Sequence, residues 1–238
     1  MEPKRSCNMA GTRVLFFGRS NCGHSTAALK KLKDSGFDTT HVESTKRNEA
    51  LPEQVLSWSG HYILSFRSLF ILPRRLLERA QIAAINFHPG PPEYPGSGCI
   101  NFALYDDAKE YGVTAHVMNE IVDNGLILNV RRFPIVSDDT VESLVTKSHD
   151  AALVQFQNIV EEMSSSDELR WKRLLENGSG EDWRGTARRI SDLDSMQILA
   201  YPFDTQELKR RLRAVHSQAF PLEIDIEGRR FALIAKDK

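Results

Sequence analysis

The chain opens with an apolar run, a helical segment and a second apolar run, and this order limits the fold most. TRVLFF (residues 12–17) predicts a buried strand ending at Gly18, STAALKKLKDSG (25–36) predicts a helix, and FDTTHV (37–42) predicts the next strand. Two strands joined through a helix pair in parallel, with a right-handed crossover. The opening therefore predicts an α/β fold around a parallel sheet.

The same alternation continues to about residue 163. Further strands are predicted at 61–66, 81–87, 111–119 and 126–135, and helices at 51–58, 72–80, 99–108 and, after Asp139-Thr140, 140–163. A polar break follows at SSSDE (164–168). We therefore predict a catalytic domain at 1–165 and a small helix and hairpin region at 166–238. In this region Asp204 and Glu207 have capping-box spacing before a helix, and Glu227-Gly228 marks the hairpin turn.

Charge and composition argue against several classes of protein. The 238 residues include 31 basic and 32 acidic side chains, a net charge of −1, which gives no electrostatic case for nucleic acid or an anionic membrane. No apolar run approaches the length of a spanning helix, and the N-terminus does not resemble a secretory signal. Cys7, Cys22 and Cys99 are widely spaced and odd in number, so we expect free thiols and a cytoplasmic protein.

Three polar side chains stand where predicted strands end. Asn86 and His88 close the strand QIAAINF, and because residues i and i+2 share a strand face, both can point into one cleft. Asp123 lies in a turn after the strand VTAHVMN, just before Gly125. An imidazole that accepts a proton, an amide that holds an oxyanion and a carboxylate that orients the imidazole suit acyl transfer to an amine.

Four sequence blocks around these residues carry a family resemblance. Asn86-Phe87-His88-Pro89-Gly90, the loop PPEYPGSG, Gly112-Val113-Thr114-Ala115-His116 and Ile121-Val122-Asp123-Asn124-Gly125 occur in the order typical of one family. They resemble the formyltransferases that use N10-formyltetrahydrofolate. The resemblance is clear over about residues 12–150 and weaker beyond. It implies a Rossmann-like domain that uses this folate as co-substrate.

The resemblance also assigns residues to roles. It implies that His88 accepts the amine proton, that Asn86 donates to the oxyanion and that Asp123 supports His88. The co-substrate would contact the segment after the third strand and the turn before Asp123: Phe66, Arg67, Leu69, Phe70, Ile71, Ile121 and Val122. The acceptor would contact the proline- and glycine-rich loop: Pro89, Gly90, Tyr94, Pro95, Gly96, Ser97 and Gly98. Gly90 departs from the serine common in relatives.

The acceptor is the least determined part of the prediction. The tail segments 183–193, 208–215 and 219–234 resemble those of sugar N-formyltransferases, so we predict a 4-amino-4,6-dideoxyhexose on dTDP or GDP, as in O-antigen biosynthesis of lipopolysaccharide. Glycinamide ribonucleotide, methionyl-tRNA and a non-catalytic folate-binding role stay open as alternatives. The resemblance further implies a homodimer formed through the tail, without nucleic acid or membrane partners.

Other polar residues are interpreted as structural. The turn from Gly18 to Gly23 precedes a helix N-terminus, which suits an anion, but a plain strand-to-helix turn is the favoured interpretation. His116 is interpreted as a structural histidine, although the family resemblance implies a position near the site. Cys99 lacks a neighbouring base and is interpreted as a buried small residue. The histidines do not have metal-ligand spacing, so no metal site is predicted.

Overall fold

A six-stranded sheet forms the centre of the molecule. The computed structural model describes residues 9–217 and 220–234. The strands in chain order are β1 Arg13–Arg19, β2 Asp38–Ser44, β3 Gly60–Phe66, β4 Ala80–His88, β5 Glu110–Val117 and β6 Ile127–Pro134. Their order across the sheet is β2-β1-β3-β4-β5-β6; the first four run parallel, whereas β5 and β6 are antiparallel to their neighbours. The predicted mostly parallel α/β sheet is confirmed.

Helices cover this sheet and bury its apolar side chains. They are α1 Gly23–Asp34, α2 Glu53–Leu56, α3 Arg74–Leu77, α4 Cys99–Tyr105, α5 Val141–Met163, α6 Glu168–Asn177 and α7 Thr205–Val215, with a short 3-10 helix at Ile190–Met196. Thr140 and Ser143 form a capping box that starts α5. Phe156 of α5 packs on Phe66 and Phe87, with ring centroids 5.1 and 4.8 Å apart. The sheet strands that lead to the site are therefore held by the core.

The region after Ser164 contains more regular structure than the sequence predicted. The helix α6 and the strand β7 (Ile198–Ala200) were not predicted. The hairpin of β8 (Glu223–Ile226) and β9 (Arg229–Ala232) is confirmed, but it belongs to a three-stranded sheet in the order β7-β8-β9, with β7 parallel to β8. An isolated hairpin is marginal in water, and the third strand gives it a partner.

The helix α6 follows residue 165 in the chain but packs into the main core. Trp171 of α6 lies in the main core, and its indole N–H donates to the Tyr62 hydroxyl at 2.8 Å. The division at residue 165 stays a prediction.

The predicted capping box at α7 is wrong: Asp204 is the N-cap but makes no side-chain capping bond. Glu207 instead accepts from the Tyr105 hydroxyl at 2.9 Å and pairs with Arg211.

Among residues 9–217 and 220–234, no helix has the length and hydropathy needed to cross a membrane.

Candidate active site

The register of β4 against β5 sets the geometry of the site. Asn86 of β4 lies opposite His116 of β5, and His88 lies opposite Thr114. Because alternate residues share a face, Asn86, His88 and His116 project to the same side of the sheet. The sequence prediction that Asn86 and His88 share a face agrees with this register.

His88 is enclosed by two hydrogen-bond acceptors. Only 2% of its surface is exposed. Its Nδ1 lies 3.1 Å from Asp123 Oδ2, and its Nε2 lies 3.0 Å from the Tyr94 carbonyl oxygen. An imidazolium satisfies both acceptors, whereas a neutral ring donates to only one. Burial opposes the charged ring, but the Asp123 carboxylate and the Tyr94 carbonyl outweigh it and raise the pKa of His88.

Asp123 connects the turn after β5 to the proline- and glycine-rich loop of residues 91–98. It has a φ of 49°, in the left-handed region that Asp tolerates in turns. Its Oδ2 accepts the Gly96 N–H at 2.8 Å, and its Oδ1 lies 3.3 Å from His116 Nε2. Burial would raise the pKa of Asp123, but the charge of His88 and the hydrogen bond from its imidazole lower it overall. An ionised Asp123 stabilises the imidazolium that forms when His88 accepts a proton.

His116 is part of this cluster, although the sequence favoured a structural histidine near the site. Its Nδ1 lies 3.0 Å from the Val117 carbonyl oxygen, and its Nε2 lies 3.2 Å from the Asn86 amide nitrogen. A neutral ring that donates from Nδ1 has a lone pair on Nε2 to accept one Asn86 amide hydrogen. The second amide hydrogen of Asn86 is then oriented for another acceptor. Only the β4–β5 register shows this contact.

The proline- and glycine-rich loop is held tightly against the site. The Pro89 carbonyl accepts from the Tyr111 and Ser148 hydroxyls at 2.9 and 3.0 Å, and the Gly90 carbonyl accepts from Thr114 at 2.8 Å. A Cβ added at Gly90 would lie 2.5 Å from His88 Nε2, so glycine at this position lets the loop close on the imidazole. Pro89 and Gly90, which were predicted to contact the acceptor, therefore also hold the loop in place through their carbonyl groups. Pro89 is exposed, Pro95 is buried, and Tyr94, Gly96, Ser97 and Gly98 are half-buried.

The predicted co-substrate residues divide into buried and exposed groups. Phe66 and Phe70 are buried in core clusters, so their side chains do not line an open cleft. The Leu69 N–H donates to the Ser44 hydroxyl at 2.8 Å. In contrast, Ile71, Ile121 and Val122 are 74%, 58% and 49% exposed. The assignment of all these residues to the co-substrate stays a prediction.

Arg67 takes part in a basic cluster at the same edge of the sheet. Its guanidinium lies 3.0 Å from the Cys22 sulfur and 3.5 Å from His24 Nδ1. The His24 and His149 rings lie 5.6 Å apart. Burial, then the charges of Arg67, His24 and Arg19, lower the pKa of His149 to about 4, more than the exposed Asp150 raises it. The cluster therefore has an excess of positive charge.

The two cysteines in the described residues are free thiols. Cys99 is buried, and burial raises the pKa of its thiol, in agreement with a structural role. At Cys22 burial would raise the pKa, but hydrogen bonds from Ser25 and the Arg67 charge lower it. Cys7 lies outside the described residues. Across the described ranges, His, Cys, Asp and Glu side chains form no group of three that could hold a metal ion.

Trp183 covers the site from a segment far along the chain. Its ring lies edge-on to His88 and His116, with centroids 5.7 and 5.0 Å away. Its indole N–H donates to the Gly125 carbonyl at 2.7 Å. From sequence alone, Trp183 is only part of the tail, and a lone Trp in a polar loop is the one signal that could have indicated its role.

The family model described as formyl transferase matches residues 13–159, more than half of the chain. The chain belongs to the formyltransferase family. The matched range contains Asn86, His88 and Asp123. The suspected family resemblance is thus confirmed.

Curated relatives include two kinds of formyltransferase. Methionyl-tRNA formyltransferase of Caldanaerobacter subterraneus subsp. tengcongensis is 25% identical over 71% of this chain and 59% of its own. GDP-perosamine N-formyltransferase of Brucella melitensis is 26% identical over 62% of this chain and 55% of its own. The chain therefore spans somewhat more than half the length of these relatives.

Solved formyltransferase structures share the fold across the tail as well. A sugar N-formyltransferase from Shewanella superposes with a TM-score of 0.67 at 17% identity, covering 95% of this chain and 98% of that one. An N-formyltransferase from Helicobacter canadensis, solved with folinic acid and dTDP-3-aminofucose, has a TM-score of 0.66 at 15% identity, covering 90% and 84%. At such identities the likeness concerns the fold.

Proposed function

We propose that this chain transfers a formyl group from N10-formyltetrahydrofolate to the amine of a nucleotide-linked amino sugar. The observation that carries the proposal is the buried His88–Asp123 pair, with Asn86 on the same strand face. This places a base and an oxyanion donor side by side, as acyl transfer to nitrogen requires. The sugar proposed is a 4-amino-4,6-dideoxyhexose on dTDP or GDP.

The proposed reaction proceeds through a tetrahedral species. The amine nitrogen attacks the formyl carbon, and the carbonyl electron pair moves to the oxygen, which accepts an Asn86 amide hydrogen. His88 Nε2 takes the amine proton, and Asp123 stabilises the resulting imidazolium. When the species collapses, N10 of tetrahydrofolate leaves and receives a proton from His88. His88 then returns to its neutral state.

The folate is proposed to bind beside the turn that carries Asp123. A cavity of about 470 Å³ lies beside the first half of β4 and the segment after β5, and it is lined mainly by apolar side chains, including Ile82, Ala84, Val117, Met118 and Ile121. Flat heterocycles suit slots that are largely apolar and have a few polar groups at the margin. The exposed Ile121 and Val122 adjoin this slot in sequence, which supports the predicted co-substrate contacts at this turn.

The diphosphate is proposed to bind the basic cluster of Arg19, Arg67, His24 and His149, and Arg67, predicted above as a co-substrate contact, is assigned here to the diphosphate instead. The cluster comes from the ends of β1 and β3, the start of α1 and the middle of α5. The guanidinium of Arg67 is half-buried, and it faces the Cys22 thiol and the His24 imidazole rather than a carboxylate. A diphosphate would supply a negative partner for Arg67, whereas the Asp150 carboxylate in this region pairs with His24 at 2.9 Å. The basic cluster lies at the same sheet edge as His88 of β4. Of the strands that contribute to it, β3 is next to β4 and β1 is two strands away from β4.

Two other acceptors compete with the sugar. Methionyl-tRNA has support from the curated relatives, and glycinamide ribonucleotide would also place a phosphate near α1. The amino sugar is favoured because a solved sugar N-formyltransferase superposes on 95% of this chain, including its tail. The fold of the tail thus has a counterpart in an enzyme of the sugar class.

A comparison of acceptors tests the proposal. Purified protein and N10-formyltetrahydrofolate are supplied in turn with dTDP- and GDP-linked 4-amino-4,6-dideoxyhexoses, glycinamide ribonucleotide and methionyl-tRNA. We expect tetrahydrofolate to be released with a nucleotide sugar at a rate well above those of the others. Formylation of either other acceptor, with none of the sugars, would overturn the substrate assignment. Absence of release with every acceptor would favour a folate-binding relative.

A further inference from the structure

The segment of residues 181–189, called here the covering segment, crosses the site and attaches to the loop of residues 91–98. The Arg184 N–H donates to the Pro92 carbonyl at 2.8 Å, and the Arg188 N–H donates to the Pro95 carbonyl at 3.1 Å. The Ser97 N–H returns a bond to the Arg188 carbonyl at 2.8 Å. The two segments therefore form one layer over His88.

Ion pairs at the margin hold this layer. Glu93 of the loop pairs with Arg184 of the covering segment at 3.0 Å and with Arg132 of β6 at 3.1 Å. Arg132 also pairs with Glu181 at the start of the covering segment. Glu93 thus joins the loop to both the segment and the sheet. These side chains are partly exposed, so their pairing is breakable without loss of buried apolar contacts.

While this layer stays in place, His88 cannot accept a proton from the amine of the acceptor. The Tyr94 carbonyl occupies His88 Nε2 at 3.0 Å, and Trp183 packs against the imidazole. A base that takes a proton from an amine needs that nitrogen within hydrogen-bond reach of the amine. With 2% of His88 exposed, an acceptor reaches it only after Tyr94 and Trp183 move.

We propose that the covering segment is a gate: it closes over His88 through Trp183 in the resting protein and opens, together with residues 91–98, to admit the acceptor. Opening breaks the Glu93 pairs and the backbone bonds of Arg184 and Arg188, and it leaves the β4–β5 framework unchanged. The closed gate excludes water from the imidazole, which shields the formyl donor from hydrolysis. The role assigned to the gate depends on the proposed function, whereas its opening does not depend on which acceptor is used.

Residue-resolved hydrogen exchange tests the gate without any substrate. Glu93→Gln removes the charge that joins the loop to the segment. Glu110→Gln is the matched control, because Glu110 also faces Arg132, at 3.8 Å, but lies on β5 outside the layer. We expect the amides of Arg184, Arg188 and Ser97 to exchange roughly three- to tenfold faster in Glu93→Gln than in Glu110→Gln, while β4 amides stay unchanged. Exchange at the His88 Cε1 proton should accelerate with them.

Equal exchange rates in the two variants would overturn the gate, as would Arg184 and Arg188 amides that exchange as slowly as those of β4. Because no acceptor is present, this result stands whether or not the nucleotide sugar is formylated. Conversely, a gate that opens as expected in a protein that formylates no sugar would reject the proposed function and leave the gate intact.

Discussion

At the scale of single residues, the charge of Asp123 controls the proton affinity of His88. The two side chains lie 3.1 Å apart, and the pKa of His88 is raised despite its burial. As the proposed base, His88 would act only when neutral, so we expect activity to rise as the pH increases through this raised pKa. Asp123→Asn keeps the size of the side chain but removes the charge, so the pKa of His88 should fall.

We therefore expect Asp123→Asn to shift the acid limb of the kcat/KM profile to lower pH and to reduce maximal turnover by at least roughly tenfold. A pH–rate series on both proteins checks this, with circular dichroism as a control for folding. A variant whose acid limb and maximal rate match those of the wild type would show that Asp123 is only a turn residue.

Arg67 offers a residue-scale test of the diphosphate site. Arg67→Gln should raise KM for the nucleotide-linked sugar by at least roughly tenfold, because a charge-assisted bond to phosphate is lost. The rate with the free amino sugar, which lacks the diphosphate, should be unaffected. Arg75→Gln, on the exposed side of α3, is the matched control. Equal KM values in the two variants would place the diphosphate elsewhere.

The residues of the site differ in how far sequence alone could reveal them. Asn86 and His88 share a strand, so the two-residue repeat is enough to place them on one face. His116 depends on the pairing of β4 with β5, which no local pattern encodes. Trp183 reaches the site from a loop distant in sequence, through tertiary packing. Local patterns therefore indicated the base and the amide, and missed the groups that surround them.

At the scale of elements, the turn that carries Asp123 depends on a close approach of two backbones. A Cβ at Gly125 would lie 1.7 Å from the Val117 carbonyl oxygen, so the turn must shift if alanine is placed there. Gly125→Ala should lower the free energy of unfolding by about 1–3 kcal/mol and displace Asp123 from His88.

Chemical denaturation measures the stability of this variant, and the turnover assay measures the displacement. Gly23→Ala is the control for stability, because a Cβ there meets nothing within 4 Å. Unchanged stability and turnover in Gly125→Ala would mean that the turn adapts without moving Asp123.

The elements that were missed share a weak local signal. In α6 only Trp171 is buried, and most of its ten residues are polar, so the segment resembles a polar linker in composition. The strand β7 has three residues, and its pairing with β8 joins segments more than 20 residues apart. The strands of the main sheet are longer, with seven to nine residues each, and they were predicted in type and order along the chain.

At the scale of the whole molecule, the small sheet presents apolar side chains that nothing in the described chain covers completely. Phe220, Phe231 and Ile234 are 70%, 54% and 84% exposed, and every residue of β9 is exposed. Exposed edge strands with apolar side chains are typical sites of association. We predict a homodimer formed through this sheet.

Light scattering at assay concentration should give about twice the mass of one chain. Phe231→Glu should give the mass of a monomer, because it places a charge in the contact. Leu169→Glu is the matched control: it changes a leucine that is 68% exposed on α6, away from this sheet, and should remain dimeric. A monomeric wild-type protein would reject the dimer.

The central claim is that the Asn86–His88 face transfers a formyl group to an amino sugar. The most direct measurement is mass spectrometry of the nucleotide sugar after incubation with isotope-labelled N10-formyltetrahydrofolate. Wild-type protein should place the label on the sugar amine. Folded His88→Asn and Asn86→Ala should each do so at least roughly 100-fold more slowly. A wild-type protein that leaves the sugar unlabelled, or variants that label it at the wild-type rate, would contradict the account.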